Sequence, residues 1–359
     1  MSAFPSTSAP APIRVLVVDD SAVGRRTVGE TLRAATGYEV VGRAGDGRQA
    51  LALAFELEPD VVTLDLEMPE MDGFTFLRLL LARRPTPVIV VSGRAAPENV
   101  FRALELGALD FVAKPSDTSS QERDRFRREL TAKLSVVRSA RLIVEHVTAT
   151  RLRAVAPAGP PTPAASPEDA RLIVAIGAST GGPKSLLELL GRLRTPSRAA
   201  FVVAVHMAER FTRTFAERLS RLGTVRACEA EDGMVLRAGH AYVCPGGSSL
   251  ELVARSGNTA IRVVPPRDSD RWVPSVDRLF RSGAEACGPR FVAVVLTGMG
   301  DDGALALAHV KQLGGAVFAE SPLTATVDSM PAAAVASGFV DRVAPIVGLA
   351  DAIGELRAP

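Results

Sequence analysis

Short apolar runs and helix-period stretches alternate through the first part of the chain. Runs at residues 13–18, 39–43, 61–64, 88–91 and 111–113 predict strands, while periodic stretches at 22–35, 48–57, 74–82, 98–106 and 122–134 predict helices. Strict alternation of the two calls for a parallel, doubly wound sheet with helices on its faces. Further on, residues 172–176, 201–205 and 291–296 are short, β-branched and unbroken, as expected of strands buried on both faces of a parallel sheet. Between these regions, residues 154–167 place Pro157, Pro160, Pro161, Pro163 and Pro167 among alanines, a composition that builds no core and makes a semi-rigid tether. The pattern predicts an α/β protein of two doubly wound parallel-sheet domains. They are a five-stranded domain over residues 13–134 and a larger Rossmann-like domain over 171–359, with a loose tail at 1–12 and a helical, then proline-rich, linker at 135–170.

Composition narrows the function more than the fold. At 359 residues, 47% hydrophobic and 23% charged, the chain is an ordinary globular protein with room for several cores. A net charge of +2 and the lack of a basic recognition helix argue against nucleic-acid binding. Three cysteines, Cys228, Cys244 and Cys287, lack zinc-ligand spacing and suit reduced thiols in the cytoplasm. No apolar run approaches the roughly 20 residues that span a bilayer, so membrane insertion is not expected. Function must therefore come from individual sites.

In the first domain the carboxylates fall at strand ends. Asp19 and Asp20 close the first strand and Asp65 the third, while Ser92 ends the fourth and Lys114 follows the fifth. Ligands of such sheets collect at this carboxyl edge. Three converging carboxylates repel one another unless a hard divalent cation joins them, and oxygen ligands with room for water point to Mg²⁺. Helix capping is the competing account; it suits Asp20 with Ser21, and suits Asp65 poorly because Leu66-Glu67-Met68-Pro69 is not a helix start. The segments Val17-Val18-Asp19-Asp20-Ser21, Asp65-Leu66-Glu67-Met68-Pro69-Glu70-Met71-Asp72-Gly73, Val91-Ser92-Gly93 and Val112-Ala113-Lys114-Pro115 resemble the receiver domain of a response regulator. The resemblance implies that Asp65 accepts phosphate from a histidine kinase. It also implies Mg²⁺ on Asp20, Asp65 and the Glu67 carbonyl, with Asp19 acting through water, Ser92 and Lys114 on the phosphoryl oxygens and Phe111 as the switch aromatic.

The second domain opens on Gly177-Ala178-Ser179-Thr180-Gly181, where an apolar run stops, one serine is presented, and Pro183 suits a helix start. This is the Gly-x-Ser-x-Gly pattern of a nucleophile elbow. Two other readings stand beside it: a phosphate-binding loop, for which Pro183 displaces Lys184 by one position, and a plain strand-to-helix turn with an inert serine. A nucleophilic Ser179 needs a base. His206 directly follows the run 201–205 at the same expected edge; His240 enters a strand from the opposite end, and His309 lies in a helical stretch over 304–313. Asp301 and Asp302 follow the longest run in the turn Thr297-Gly298-Met299-Gly300-Asp301-Asp302-Gly303, as caps or as the acid of a Ser-His-Asp triad.

The segments Ile176-Gly177-Ala178-Ser179-Thr180-Gly181-Gly182, Val205-His206-Met207, Glu229-Ala230-Glu231-Asp232-Gly233, Pro274-Ser275-Val276-Asp277 and Leu296 to Gly303 resemble the catalytic domain of the CheB family of chemotaxis protein-glutamate methylesterases. The resemblance assigns Ser179 as nucleophile, His206 as base, Asp302 as acid and the Met299 backbone N–H to the oxyanion hole. It implies phosphorylation-activated hydrolysis of glutamate γ-methyl esters on chemoreceptor cytoplasmic domains, with deamidation of receptor glutamines and no cofactor for the ester step. One departure is Ala208, where the family usually has proline after His-Met. Two alternatives are a catalytically weak, receiver-controlled binding module and a methylesterase serving a pathway other than chemotaxis.

Overall fold

The computed structural model describes residues 11–93, 95–115, 119–138, 169–193, 199–255 and 257–356. The chain divides into two compact units, Met1–Thr148 and Ala149–Pro359. Most of the expected tail and linker, including the helical continuation past residue 138, lies outside the described residues.

In the first unit, strands β1 (Ile13–Val18), β2 (Tyr38–Ala44), β3 (Val61–Leu64), β4 (Val88–Ser92) and β5 (Asp110–Ala113) alternate with helices α1 (Ala22–Arg33), α2 (Gly47–Leu57), α3 (Gly73–Arg83), α4 (Pro97–Glu105) and α5 (Ser120–Ser135). The sheet order is β2-β1-β3-β4-β5 and every pairing is parallel. The expected alternation is realised, with helices begun by local caps: the Asp46 carboxylate accepts from the Arg48 and Gln49 N–H groups, and Asp72 from Thr75 N–H. Central strands β3 and β4 are buried at every position, which is why they read as continuous apolar runs. Lys133 is also buried; its ammonium bonds Asp110 at 3.1 Å and the Phe111 carbonyl at 2.6 Å. Burial opposes that charge, but Asp110 and Glu129 outweigh it and hold the lysine above its ordinary pKa.

The second unit is built on a seven-stranded parallel sheet, ordered β14-β13-β12-β6-β7-β9-β8. Its strands are β6 (Leu172–Ala178), β7 (Ala199–Val205), β8 (Arg226–Glu229), β9 (His240–Val243), β12 (Phe291–Val295), β13 (Ala316–Glu320) and β14 (Arg342–Ala344). An antiparallel hairpin of β10 (Ser249–Arg255) and β11 (Asn258–Val264) stands apart from that sheet. Helices α6 (Gly182–Gly191), α7 (Glu209–Ser220), α8 (Val276–Cys287), α9 (Leu307–Gln312), α10 (Ser329–Ala336) and α11 (Ile346–Glu355) complete the unit. The helical stretch expected over 304–313 begins as a 3₁₀ turn at Ala304–Ala306 before α9 takes over.

Strand β6 is the pivot of this topology. The chain leaves it toward β7 on one side and returns through β12 on the other, so the strand order reverses beside β6 and opens a crevice at its carboxyl end. Helix α8 can pack against this end of the sheet only because Gly177, paired with Val295 of β12, carries no side chain. A Cβ at Gly177 would lie 2.3 Å from Cγ1 of Val276 at the start of α8. Gly177→Ala is expected to destabilise the second unit by about 1–3 kcal/mol through overpacking. Denaturant unfolding of the variant against the parent checks this, and an unchanged midpoint would refute it.

Candidate active sites

The residue after β6 is Ser179. Its N–H donates to the Thr297 carbonyl at 3.0 Å and its carbonyl accepts from Gly182 N–H at 2.8 Å, which ties the end of β6 to the start of α6 and to the turn after β12. Pro183 occupies the first turn of α6, as the sequence suggested. Gly298 lies against the serine from the other side: a Cβ there would be 2.8 Å from the Ser179 Cβ. Ser179 is held by backbone on two sides and its surface is 8% exposed.

The adjacent strand brings His206. Ala178 pairs with Val205, and the ladder runs one step further as His206 N–H donates to the Ala178 carbonyl at 3.1 Å. The imidazole Nε2 lies 2.9 Å from Asp302 Oδ2, and Nδ1 is buried without a hydrogen-bond partner among the described residues. Asp302 is 3% exposed and takes two more bonds, from Val276 N–H at 2.9 Å and Asp277 N–H at 3.0 Å. A carboxylate is thus seated on the N-terminus of α8, where the helix dipole and two donors favour negative charge.

The alternatives separate by place. Asp301 faces outward and pairs with Arg271 at 3.1 Å. His240 begins β9, at the opposite edge of a parallel sheet, and its Nδ1 meets the Ala238 carbonyl at 3.0 Å. His309, in α9, meets Glu285 at 3.0 Å. Met299 sits in the turn after β12, between Gly298, whose N–H donates to the Val327 carbonyl at 3.1 Å, and Gly300, whose N–H donates to Ser329 Oγ at 3.1 Å. Ala208, the departure from the family pattern, is the N-cap of α7 and has φ −68°. Proline fixes nearly that angle, so the alanine follows the backbone path a proline would impose.

Three more residues, to which the sequence reading gave no site role, belong to this edge. Glu320 ends β13 and is 2% exposed, and its Oε2 accepts from Thr297 N–H at 2.8 Å. Burial pushes its carboxyl up to about 7 against the opposing pull of that N–H. The signal was available, since a carboxylate ending an apolar strand is the same cue that marked Asp65. Asp277 sits beside Asp302 and accepts from Ala306 N–H at 2.9 Å; burial, then the charge of Asp302, pushes it up to about 6. Trp272 stacks on the His206 ring, a contact no local pattern encodes.

The first unit has a site of its own at its carboxyl edge. Carboxylate oxygens of Asp19, Asp20 and Asp65 lie within 4.8 Å of one another. Lys114 Nζ is 2.7 Å from Asp19 and also pairs with Asp65. Burial raises the Asp19 pKa against the pull of Lys114, while bonds to Asp19 and Asp65 raise that of Lys114 despite its own burial. Ser92 Oγ accepts from Ala95 N–H at 3.1 Å, and the Ser92 carbonyl accepts from Lys114 N–H at 2.9 Å. Glu67 is exposed, with its N–H 3.4 Å from Asp65 Oδ1. Phe111 is buried edge-on to Phe101, with ring centroids 6.1 Å apart.

Glu320 gives this architecture a pH signature. The unfolded chain ionises it near the ordinary 4.5 and the folded chain near 7. The stability supplied by the neutral carboxyl is therefore full below about 4.5, falls as pH rises through that window, and is gone above about 7. Glu320→Gln keeps an acceptor for Thr297 and cannot ionise. Denaturation at pH 4.5 and pH 8 should find the variant gaining up to about 3 kcal/mol on the parent between the two; parallel pH profiles would refute the assignment.

Comparison with known proteins places each unit in a family. Residues 174–353 match the family model described as CheB methylesterase, and residues 15–122 match the response regulator receiver domain. The chain is 43% identical to protein-glutamate methylesterase/protein-glutamine glutaminase 1 of Myxococcus xanthus, over 96% of this chain and 97% of that protein. It is 49% identical to the protein numbered 6 under the same name in Anaeromyxobacter dehalogenans, over 92% of each. Among solved structures, the CheB methylesterase catalytic domain of Thermotoga maritima superposes with a TM-score of 0.50 at 35% identity, covering 52% of this chain and 98% of that one. No helix among the described residues is long and apolar enough to cross a membrane. With a serine elbow, a histidine–aspartate pair and an acidic pocket each on a matching fold, the chain belongs to the CheB methylesterase family, an ester hydrolase preceded by a response regulator receiver domain.

Proposed function

We propose that this chain hydrolyses glutamate γ-methyl esters on chemoreceptor cytoplasmic domains, and deamidates glutamines there, through Ser179, His206 and Asp302 under the control of Asp65. The observation that carries this reading is the 2.9 Å bond between His206 Nε2 and Asp302 at the strand edge that presents Ser179. With Nε2 committed to Asp302, Nδ1 is the ring nitrogen left to take a proton. Ser179 Oγ attacks the ester carbonyl carbon as its proton passes to Nδ1, and Asp302 holds the ring and offsets the imidazolium charge. The Met299 N–H donates to the oxyanion. Collapse breaks the C–O bond, and methoxide leaves as methanol with the proton from His206. Water, deprotonated by the same ring, then cleaves the acyl-serine, releasing glutamate and restoring Ser179. With a glutamine substrate the leaving group is ammonia.

In the first unit, Asp65 takes a phosphoryl group from a histidine kinase. Asp19, Asp20, Asp65 and the Glu67 carbonyl offer a hard-oxygen donor set that fits Mg²⁺, and these residues would hold it. Bound there, the ion would neutralise phosphoryl oxygens during transfer. Lys114 exchanges part of its pairing with Asp65 for the incoming oxygens, Ser92 donates its hydroxyl, and Phe111 follows the inward movement of the loop. Phosphate then raises hydrolysis by favouring the state with an open catalytic edge, which requires a differential affinity of a few kcal/mol.

Two experiments test these readings. Methanol release from a methylated chemoreceptor cytoplasmic fragment is expected to fall about 10³-fold or more in Ser179→Ala and about 10²–10⁴-fold in Asp302→Asn. A folded Ser179→Ala protein with parental activity would overturn the triad. Separately, a small-molecule phosphodonor with Mg²⁺ should stimulate the parent and leave Asp65→Asn at its basal rate. Equal stimulation of both would remove Asp65 from the control.

A further inference from the structure

Trp272 is the single tryptophan of the chain. Its ring lies face to face with His206, the centroids 5.4 Å apart and the planes 10° from parallel. The Cε2–Cζ2 edge rests on Gly300, where a Cβ would come within 2.5 Å of Cζ2. Nε1 is buried with no hydrogen-bond partner among the described residues, so no polar contact sets the indole in place and its faces must account for its position. The loop that carries it is fixed on both sides. Asp270 bonds Arg278 at 2.8 Å, Arg278 also donates to the Pro265 carbonyl at 3.1 Å, and Ser275 N–H donates to Ser249 Oγ at 3.0 Å. Arg271 pairs with Asp301 in the turn that Gly300 shares.

The bond to Asp302 fixes one nitrogen of the imidazole and leaves the ring free to tilt about that bond. A flat wall against one face removes this freedom. We propose that Trp272 is a positioning residue for ester hydrolysis, its indole face setting the tilt of the His206 ring so that Nδ1 stays level with the nucleophile. The proposal rests on the reading of His206 as the base. The turn after β12 and the loop before α8 thereby act on one ring from two directions, Asp302 through its edge and Trp272 through its face.

The test is methanol release from the methylated receptor fragment by Trp272→Ala, Trp272→Leu and Trp272→Phe, with His206→Ala alongside and circular dichroism confirming the fold. The expected result is a kcat lower by about 10–100-fold in Trp272→Ala and Trp272→Leu with KM within about threefold, because misplacing a catalytic group costs rate more than binding. Trp272→Phe, which keeps a flat face, should recover to within about fivefold of the parent. Emission from Trp272, the sole indole, should become more open to acrylamide quenching when His206→Ala removes its stacking partner. Parental kcat in Trp272→Leu while His206→Ala is inactive would overturn the proposal, as would a raised KM at unchanged kcat. Should Trp272→Ala fail to fold, the contrast between Leu and Phe decides. Full activity in His206→Ala would instead refute the base, and the proposal with it.

Discussion

The carboxylate of Asp302 is the point on which the second unit converges. It receives Nε2 of the histidine that ends β7 and the first two N–H groups of α8, from its own place in the turn after β12. Three elements distant in sequence thus share one buried acceptor. Each bond also satisfies a group that would otherwise be stranded, because the first N–H groups of a helix have no partner within it. Removing the carboxylate would strand the Val276 and Asp277 N–H groups of α8, leaving its Ser275 cap, and would release the imidazole as well. The cost of burying that charge is offset by its donors, while the neighbouring Asp277 is pushed toward its neutral form by its own burial and then by Asp302.

The first unit handles the same problem with a cation. Asp19 and Asp65 are buried at a strand edge, and Lys114 bridges them from beyond β5. The pair of acids is stable without phosphate because one ammonium serves both. Under the proposed phosphorylation of Asp65, the phosphoryl group would compete for that same ammonium, and the resting contact would also be the lever. Lys133 repeats the device further from the edge, where Asp110 and the Phe111 carbonyl hold a buried ammonium directly beneath the aromatic ring. The position of Phe111 is set from below by this contact and from the side by Phe101.

What the sequence made legible was what repeats locally. Strands buried on both faces announce themselves as unbroken apolar runs, and β1, β3, β4, β6, β7 and β12 were readable for that reason. Short strands at the rim of the second sheet, β8 and β14, and the β10–β11 hairpin have mixed burial and were not read as elements. Ser179, His206 and Asp302 stood out as candidates because each lies beyond a strong strand and a parallel sheet sends all such ends to one edge. Trp272 could not be found that way. Its partner is sixty-six positions earlier in the chain and the contact is between ring faces, which leaves no periodicity. The alanine after His-Met departs from the family pattern, yet Ala208 holds a proline-like φ. Residue identity at that point says less than the dihedral it adopts.

The position of β6 between β7 and β12 also bears on how the protein is made. Synthesis delivers β6 more than a hundred residues before β12 is complete, and β7, β8 and β9 also precede β12. Until then β6 is an exposed edge, a wholly apolar strand with a free row of backbone donors and acceptors, which is the kind of surface that pairs with other chains. The closing strand brings Asp302 with it, so the bond from Asp302 to His206 forms only once β12 is in place. That contact and protection from aggregation arrive in the same step, late, through one long-range pairing.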